Sequence, residues 1–155
     1  MSWSLALRNG DLAIGGPGSL LTVSGQSKLA QDMKCWLLEP IGTDPIHTDF
    51  GSSLDGGDAD GVSFETLIGG TFDKQTILDI ESEIRRVLTN YQRAQLFRLQ
   101  DDKFRYNGQT TLESGEVLYR IDSVESRQSG DKLVVFVNIT TAAGARIPLT
   151  IPIGT

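Results

Sequence analysis

The last third of the chain holds three runs in which apolar residues recur at every second position: Val117, Tyr119 and Ile121; Leu133, Val135, Val137 and Ile139; Ile147, Leu149, Ile151 and Ile153. A period of two marks a strand with one face buried and the other in water. Gly130 and Gly144 sit between the runs, where tight turns belong. Three such strands in succession predict an antiparallel meander with one apolar face, which another part of the chain must cover. The final run also carries Pro148 and Pro152. Neither has an N–H to give a ladder, so this strand belongs at a sheet edge or pairs with a strand of a partner.

Two helices can supply the cover. Ser24 is a suitable N-cap, and Leu29, Met33, Trp36 and Leu37 then fall on one face of a helix of about four turns. Pro40 stops it, since the residue before a proline avoids helical backbone angles, and Gly42 follows. The second helix begins at a cap on Thr71 or Asp73. Ile77, Ile80, Ile84, Val87, Leu88 and Tyr91 repeat at helical spacing, and the helix is expected to end near Arg93 or Ala94. Glu81, Glu83, Arg85 and Arg86 lie mostly on its other side, with Glu81 and Arg85 spaced for an ion pair. Leu96–Leu99 reads as a further strand, and a short helix fits between Ser63 and Gly69-Gly70. At the N-terminus Trp3, Leu5 and Leu7 alternate, and Asn9-Gly10 is a strong hairpin signal. Asp11–Ile14 would return, and Leu20–Val23 forms another short strand. The expectation is a single α+β domain spanning residues 1–155: two main helices packed on a small antiparallel sheet, with an N-terminal hairpin.

Charge narrows the function. Fourteen Lys and Arg face twenty Asp and Glu, a net charge of −6. Gripping nucleic acid requires a basic surface, so no nucleic-acid partner is expected, whereas a protein with a basic patch remains open. The N-terminus lacks the basic and apolar regions of a signal peptide, and no apolar run approaches the roughly 20 residues that span a bilayer. A chain made in the cytoplasm, with no membrane partner, is therefore expected. Cys35 is the single cysteine and cannot form an internal disulfide; its neighbours Trp36, Leu37 and Leu38 suit a small core residue.

Catalytic chemistry has little to build on. His47, the single histidine, stands beside Asp49 and Ser52, but residues this close in one loop rarely converge as a triad. Glycoside hydrolysis needs two carboxylates at a set separation; Glu39, Asp49 and Glu65, next to apolar residues, are the candidates. Asp55, Asp58 and Asp60 resemble part of a calcium loop, yet Gly56 and Leu67 stand where it needs carboxylates at its first and twelfth positions. A loose cation site is the most this segment could form. One Cys and one His exclude structural zinc, and no phosphate-cradling glycine motif is present. No catalytic, metal or cofactor-binding residue is assigned, and no cofactor is expected.

One longer pattern is more specific. A helix ends in Trp36-Leu37-Leu38, a turn with Pro40 and Gly42 follows, and then comes Asp49-Phe50-Gly51-Ser52-Ser53-Leu54. After it stands a helix with Ile77, Ile80, Ile84, Leu88 and Tyr91, then antiparallel strands. In this order the chain resembles, over roughly residues 20 to 140, the small baseplate-wedge and sheath-initiator proteins of contractile phage tails, which have relatives in type VI secretion. Phe50-Gly51-Ser52 is the most specific part. The sequence departs from the family at Asn90–Gln95, where members carry Glu-Pro-Arg and Arg93 alone corresponds. The resemblance implies a structural tail component rather than an enzyme, carried in several copies in a ring in the virion baseplate. Its partners would be the tail sheath protein and other wedge and hub proteins. It implies partner contacts at Phe50, Gly51, Ser52, Tyr91, Arg93, Val135, Val137, Ile147, Leu149 and Ile151. Lys132–Ile153 would bind sheath by strand addition, with acidic charge and the two prolines limiting self-pairing, and the Ile77–Tyr91 helix with Arg93 would face the hub or wedge. On that expectation, deleting Arg146–Thr155 removes sheath binding without unfolding the domain. Some relatives carry a lysozyme label, which makes a tail-associated peptidoglycan hydrolase the alternative; a generic α+β binding domain is the third reading.

Overall fold

The computed structural model describes residues 2–8, 11–46, 48, 50–54, 73–130 and 132–153. The Asn9-Gly10 turn, the short helix expected at Ser63–Gly70, the acidic loop at Asp55–Asp60, and His47, Asp49 and Glu65 lie outside them.

The meander forms as the alternation requires. Strands β5 (Leu118–Ser129), β6 (Lys132–Thr141) and β7 (Arg146–Ile153) make an antiparallel sheet in the order β5-β6-β7. Val124 pairs with Val137 and Val137 with Leu149, so the apolar positions of all three strands share a face. Leu133, Val135, Val137 and Ile139 are fully buried, and Ile147, Leu149, Ile151 and Ile153 nearly so. The first strand departs from simple alternation. Register shifts between Leu118 and Arg120 and between Ile121 and Ser123 interrupt its ladder. Such bulges change which side chains point inward. Leu118 and Val124 face the core, and Tyr119 stands in solvent.

Helix α1 (Gly25–Leu38) and helix α2 (Lys74–Arg105) cover that face. Leu29, Met33 and Leu37 from α1 join Ile80, Ile84, Val87, Leu88 and Tyr91 from α2 in one cluster with the sheet residues. Helix α1 ends before Pro40, and Glu39 is already extended. Asp73 caps α2, its carboxylate accepting the Thr76 N–H at 2.7 Å. The expected end near Arg93 is wrong, and so is the strand at Leu96–Leu99. The helix runs 32 residues, about 48 Å at 1.5 Å per residue, to Arg105. Asn107 and Gly108, both at positive φ, follow it. Glu81 also departs from expectation: its carboxylate accepts the Ser126 N–H of β5 at 2.9 Å, and no bond to Arg85 forms.

The N-terminal segment is more than a hairpin. Strand β1 (Trp3–Leu5) pairs with β4 (Thr22–Ser24), while β2 (Leu7–Arg8) pairs with β3 (Asp11–Leu12). At the junction Ala6 N–H donates to Leu21 O, Leu21 N–H to Ala13 O and Ala13 N–H to Ala6 O, closing a ring of three bonds. Strand alternation then puts Trp3, Leu5, Leu7, Leu12, Ile14 and Leu20 on one face, all exposed. Ala6, on the other face, is buried.

A single carboxylate joins these parts. Ser24 precedes α1 but its side chain makes no capping bond. Glu116, in the turn before β5, fills that role from a distance in sequence: Oε1 accepts the Gly25 N–H at 3.1 Å, and Oε2 accepts the Ser2 hydroxyl at 2.6 Å and the Glu113 N–H at 3.1 Å. Burial pushes its carboxyl pKa up, but these donors and the Lys28 charge outweigh that and hold it below the usual carboxylate range. Gln95 of α2 completes the junction, donating to Glu116 O at 2.8 Å and accepting the Leu118 N–H at 2.8 Å. Replacing Glu116 by Gln is expected to cost about 1–3 kcal/mol at neutral pH, because buried donors lose a charged acceptor. Since folding lowers this pKa, its contribution is present above the unfolded value of roughly 4.3 and disappears as pH falls through the folded value. Urea unfolding of both proteins at neutral and acid pH should show the gap closing on the acid side.

Candidate functional site

Phe50, Gly51 and Ser52 are placed by the segment that leaves α1. Ser52 N–H donates to Glu39 O at 2.7 Å and Ile41 N–H to Ser52 O at 2.9 Å, a short parallel bridge across Pro40. The Ser52 hydroxyl donates to Leu37 O at 2.5 Å, taking up a carbonyl that the end of α1 leaves unpaired. Gly51 lies at φ +96°, and a Cβ there would sit 2.5 Å from Glu39 O. Both the backbone angle and the close approach require glycine. On the far side Glu83 of α2 accepts the Ser53 N–H at 2.8 Å and is held by Arg86 through two 2.7 Å bonds. Burial pushes the Glu83 carboxyl up, but Arg86 and the Ser53 N–H lower it further than burial raises it. The segment thus clamps the end of α1 to α2.

Phe50 packs edge-on against Trp36 with ring centroids 4.6 Å apart, and Trp36 packs edge-on against Tyr91 at 5.3 Å. The three rings, with Cys35, Arg98 and Leu112, line an open groove of about 320 Å³ between the helices. Burial raises the Tyr91 phenol and the Cys35 thiol above their ordinary pKa values, so both stay protonated near neutrality. Cys35 is half-buried at the groove wall rather than in the core. Asp32 in the same wall is paired with Lys28 at 2.7 Å. The groove therefore presents rings beside the Arg98 guanidinium and the Lys28–Asp32 ion pair, and neither Tyr91 nor Cys35 is an activated nucleophile there.

Burial changes what the residues named from the resemblance can do. Gly51, Ser52, Tyr91, Val135, Val137, Ile147, Leu149 and Ile151 are buried within this chain. Their side chains pack within the fold, and Tyr91 also lines the groove. Phe50 is half-buried and Arg93 exposed, and these two can be reached. On β6 and β7 the outward side chains are the accessible ones, and the apolar set is not.

The two edges of the sheet differ. Side chains of α2 occupy the backbone of β5: Gln95 takes Leu118 N–H, Gln92 donates to Leu118 O and Tyr119 O, and Glu81 takes Ser126 N–H. No strand among the described residues pairs with the outer edge of β7. This division of the edges had no signal in the sequence beyond the two prolines, because Glu81, Gln92 and Gln95 read as ordinary helix-surface residues. Among the described residues no three His, Cys, Asp or Glu side chains gather as a metal site. No described helix is long and apolar enough to cross a membrane.

Gly51→Ala is expected to destabilise the protein by more than about 2 kcal/mol, through left-handed strain and the clash with Glu39 O. Chemical unfolding followed by Trp36 fluorescence should show it, with the Phe50–Trp36 contact loosened before the sheet melts.

No protein-family model matches the chain, and no curated protein does. Among solved structures the fold is similar to a crystal structure described as a "putative tail lysozyme" from Geobacter sulfurreducens, with a TM-score of 0.55 and 14% sequence identity. The match covers 86% of this chain and 94% of that one. At that identity the likeness is one of fold: nearly the whole of the other chain adopts this arrangement of helices and strands.

Proposed function

We propose that this chain is a structural component of a phage-tail baseplate that anchors the tail sheath, or starts its polymerisation, by strand addition to β7. The observation that carries the reading is the asymmetry of the sheet: side chains of α2 bond β5 at Leu118, Tyr119 and Ser126, and no strand among the described residues pairs with the outer edge of β7. An exposed edge is an aggregation hazard unless a partner covers it, and strand addition is how a sheet edge binds an extended segment. The likeness to a tail-associated fold and the order of motifs from Trp36 to Tyr91 support the same assignment. In this reading the sheath protein is the partner on β7, and Arg93 on the exposed side of α2 faces wedge or hub proteins. The chain is carried in several copies in a ring in the virion, after synthesis in the host cytoplasm.

The name of the structural neighbour favours one other reading, a tail-associated peptidoglycan hydrolase. A glycosidase needs a carboxylic acid whose pKa is raised so that it can donate a proton. The described carboxylates with a resolved shift, Asp73, Glu83, Asp102, Glu116 and Asp122, all move the other way. Asp49 and Glu65, two of the candidates named from the sequence, lie outside the described residues.

Deleting Arg146–Thr155 is not the clean test that the sequence suggested. It removes Ile147, Leu149, Ile151 and Ile153 from the core. At about 1.5–3 kcal/mol for each buried side chain, the loss rivals the whole stability of a small domain. Thr150→Pro is the better variant. Thr150 lies opposite Phe136 with its N–H directed outward, so a proline there removes one of the two N–H groups the edge still offers and leaves the β6–β7 bonds intact. We expect a folded protein, by circular dichroism, whose affinity for purified sheath protein falls at least about tenfold, roughly 1.4 kcal/mol. Unchanged affinity would sink strand addition at β7. Imaging of intact particles should place the chain in a ring between baseplate and first sheath layer; a place at the cell-piercing tip, with turnover abolished by a single carboxylate-to-amide change, would favour the hydrolase.

A further inference from the structure

The phase of the β6–β7 ladder decides what the open edge offers. In the turn between these strands Thr141 N–H donates to Ala145 O at 2.9 Å, so the backbone of Thr141 is directed toward β7. Antiparallel pairs alternate between bonded and non-bonded. Ile139–Ile147, Val137–Leu149, Val135–Ile151 and Leu133–Ile153 are then bonded. Thr140–Arg146, Asn138–Pro148, Phe136–Thr150 and Val134–Pro152 are not, and on β7 the backbone groups of these last partners point away from the sheet. The same count carried across β6 directs Ser126 N–H away from β6 on the other edge, where it meets Glu81.

Both prolines therefore fall on outward positions. They cost the native ladder nothing, and they remove two of the four N–H groups that β7 would show to an incoming strand between Arg146 and Ile153. Four outward carbonyls remain, with N–H groups only at Arg146 and Thr150.

We infer that Pro148 and Pro152 are specificity-determining residues: they close the β7 edge to a second copy of this chain and leave it open to an extended, proline-free segment of a different protein. Two β7 edges set antiparallel with Arg146 opposite Pro152 would have one proline in every outward pair, so half of the bonds are missing. Shifted so that Thr150 faces itself, the pairs on either side set proline against proline and form none. A foreign strand with all its N–H groups can donate to every outward carbonyl of β7, and lacks donors only for its two carbonyls opposite the rings. The identity of that foreign strand as sheath rests on the proposed function; the exclusion of a second copy does not.

The test uses this chain alone. The variant P148T/P152T restores both outward N–H groups and adds no apolar side chain. Hydrogen exchange of the peptide spanning residues 146–153 is measured at low and high protein concentration, with sedimentation velocity on the same samples. In the wild type, exchange in this peptide should not depend on concentration. In the variant it should slow about tenfold or more at high concentration, together with a larger sedimenting species. A folded variant whose exchange stays independent of concentration overturns the inference, and so does a wild type whose own edge becomes protected. The single substitution Pro148→Thr serves if the double variant folds poorly; it should show a smaller slowing, and no slowing counts against the inference in the same way. Failure of the wild type to bind sheath would remove the proposed function and leave this comparison standing.

Discussion

A three-stranded sheet has an apolar face to cover and two edges whose backbone groups need partners; α1 and α2 together meet the first need, and α2 meets part of the second. Its inward stripe from Ile80 to Tyr91 packs on the sheet. Glu81, Gln92 and Gln95, bordering that stripe, bond the backbone of β5. Each bond satisfies a group that would otherwise compete for water or for another chain. The cost of this arrangement is asymmetry. One helix cannot lie along both edges of a twisted sheet, and α1, with Leu29, Met33 and Leu37 turned inward, spends its buried surface on the face. Among the described residues, the unpaired outer edge of β7 is a consequence of where the two helices sit.

The buried polar groups follow the same economy. Glu116 caps α1 and ties the N-terminus to the turn before β5, and Glu83 ties the loop after α1 to α2. In both, burial alone would favour the neutral acid, and the donors around the carboxylate reverse it. Residues arranged to stay ionised are suited to holding elements together. Proton donation in catalysis requires the opposite arrangement.

Much of the architecture was legible because burial on one face imposes a period. The β6 and β7 runs place every inward residue correctly, and Ile80, Ile84, Val87, Leu88 and Tyr91 do so for α2. The end of α2 was not legible. Beyond Gln95 the helix buries little: Leu96, Phe97 and Phe104 are exposed, and Asp102 is covered by the Thr111 segment it bonds. Without a buried stripe there is no 3.6-residue signal, and Leu96–Leu99 imitates a strand, although Ala94, Gln95, Leu96 and Arg98 are all good helix formers. The cap supplied by Glu116 was invisible for another reason: it reaches Gly25 across 91 positions. Phe50-Gly51-Ser52 stood out in the sequence, and the structure shows one internal constraint on it, the approach of Gly51 to Glu39 O.

That distinction bears on where binding specificity can reside in such a chain. The side chains of β6 and β7 that look most like an interface in sequence are committed to the core, and the outward ones on β7 are Arg146, Pro148, Thr150 and Pro152. What β7 offers is chiefly backbone, which every protein possesses, so selectivity has to come from which backbone groups are missing. A proline at a bonded position would have broken the ladder to β6. At an outward position its effect falls only on a newcomer, and it falls twice when the newcomer is a copy bearing the same prolines. On the proposed function, in which many copies stand close together in a ring, an edge kept free for a sheath strand gains from a deficit that its own copies share and its partner lacks.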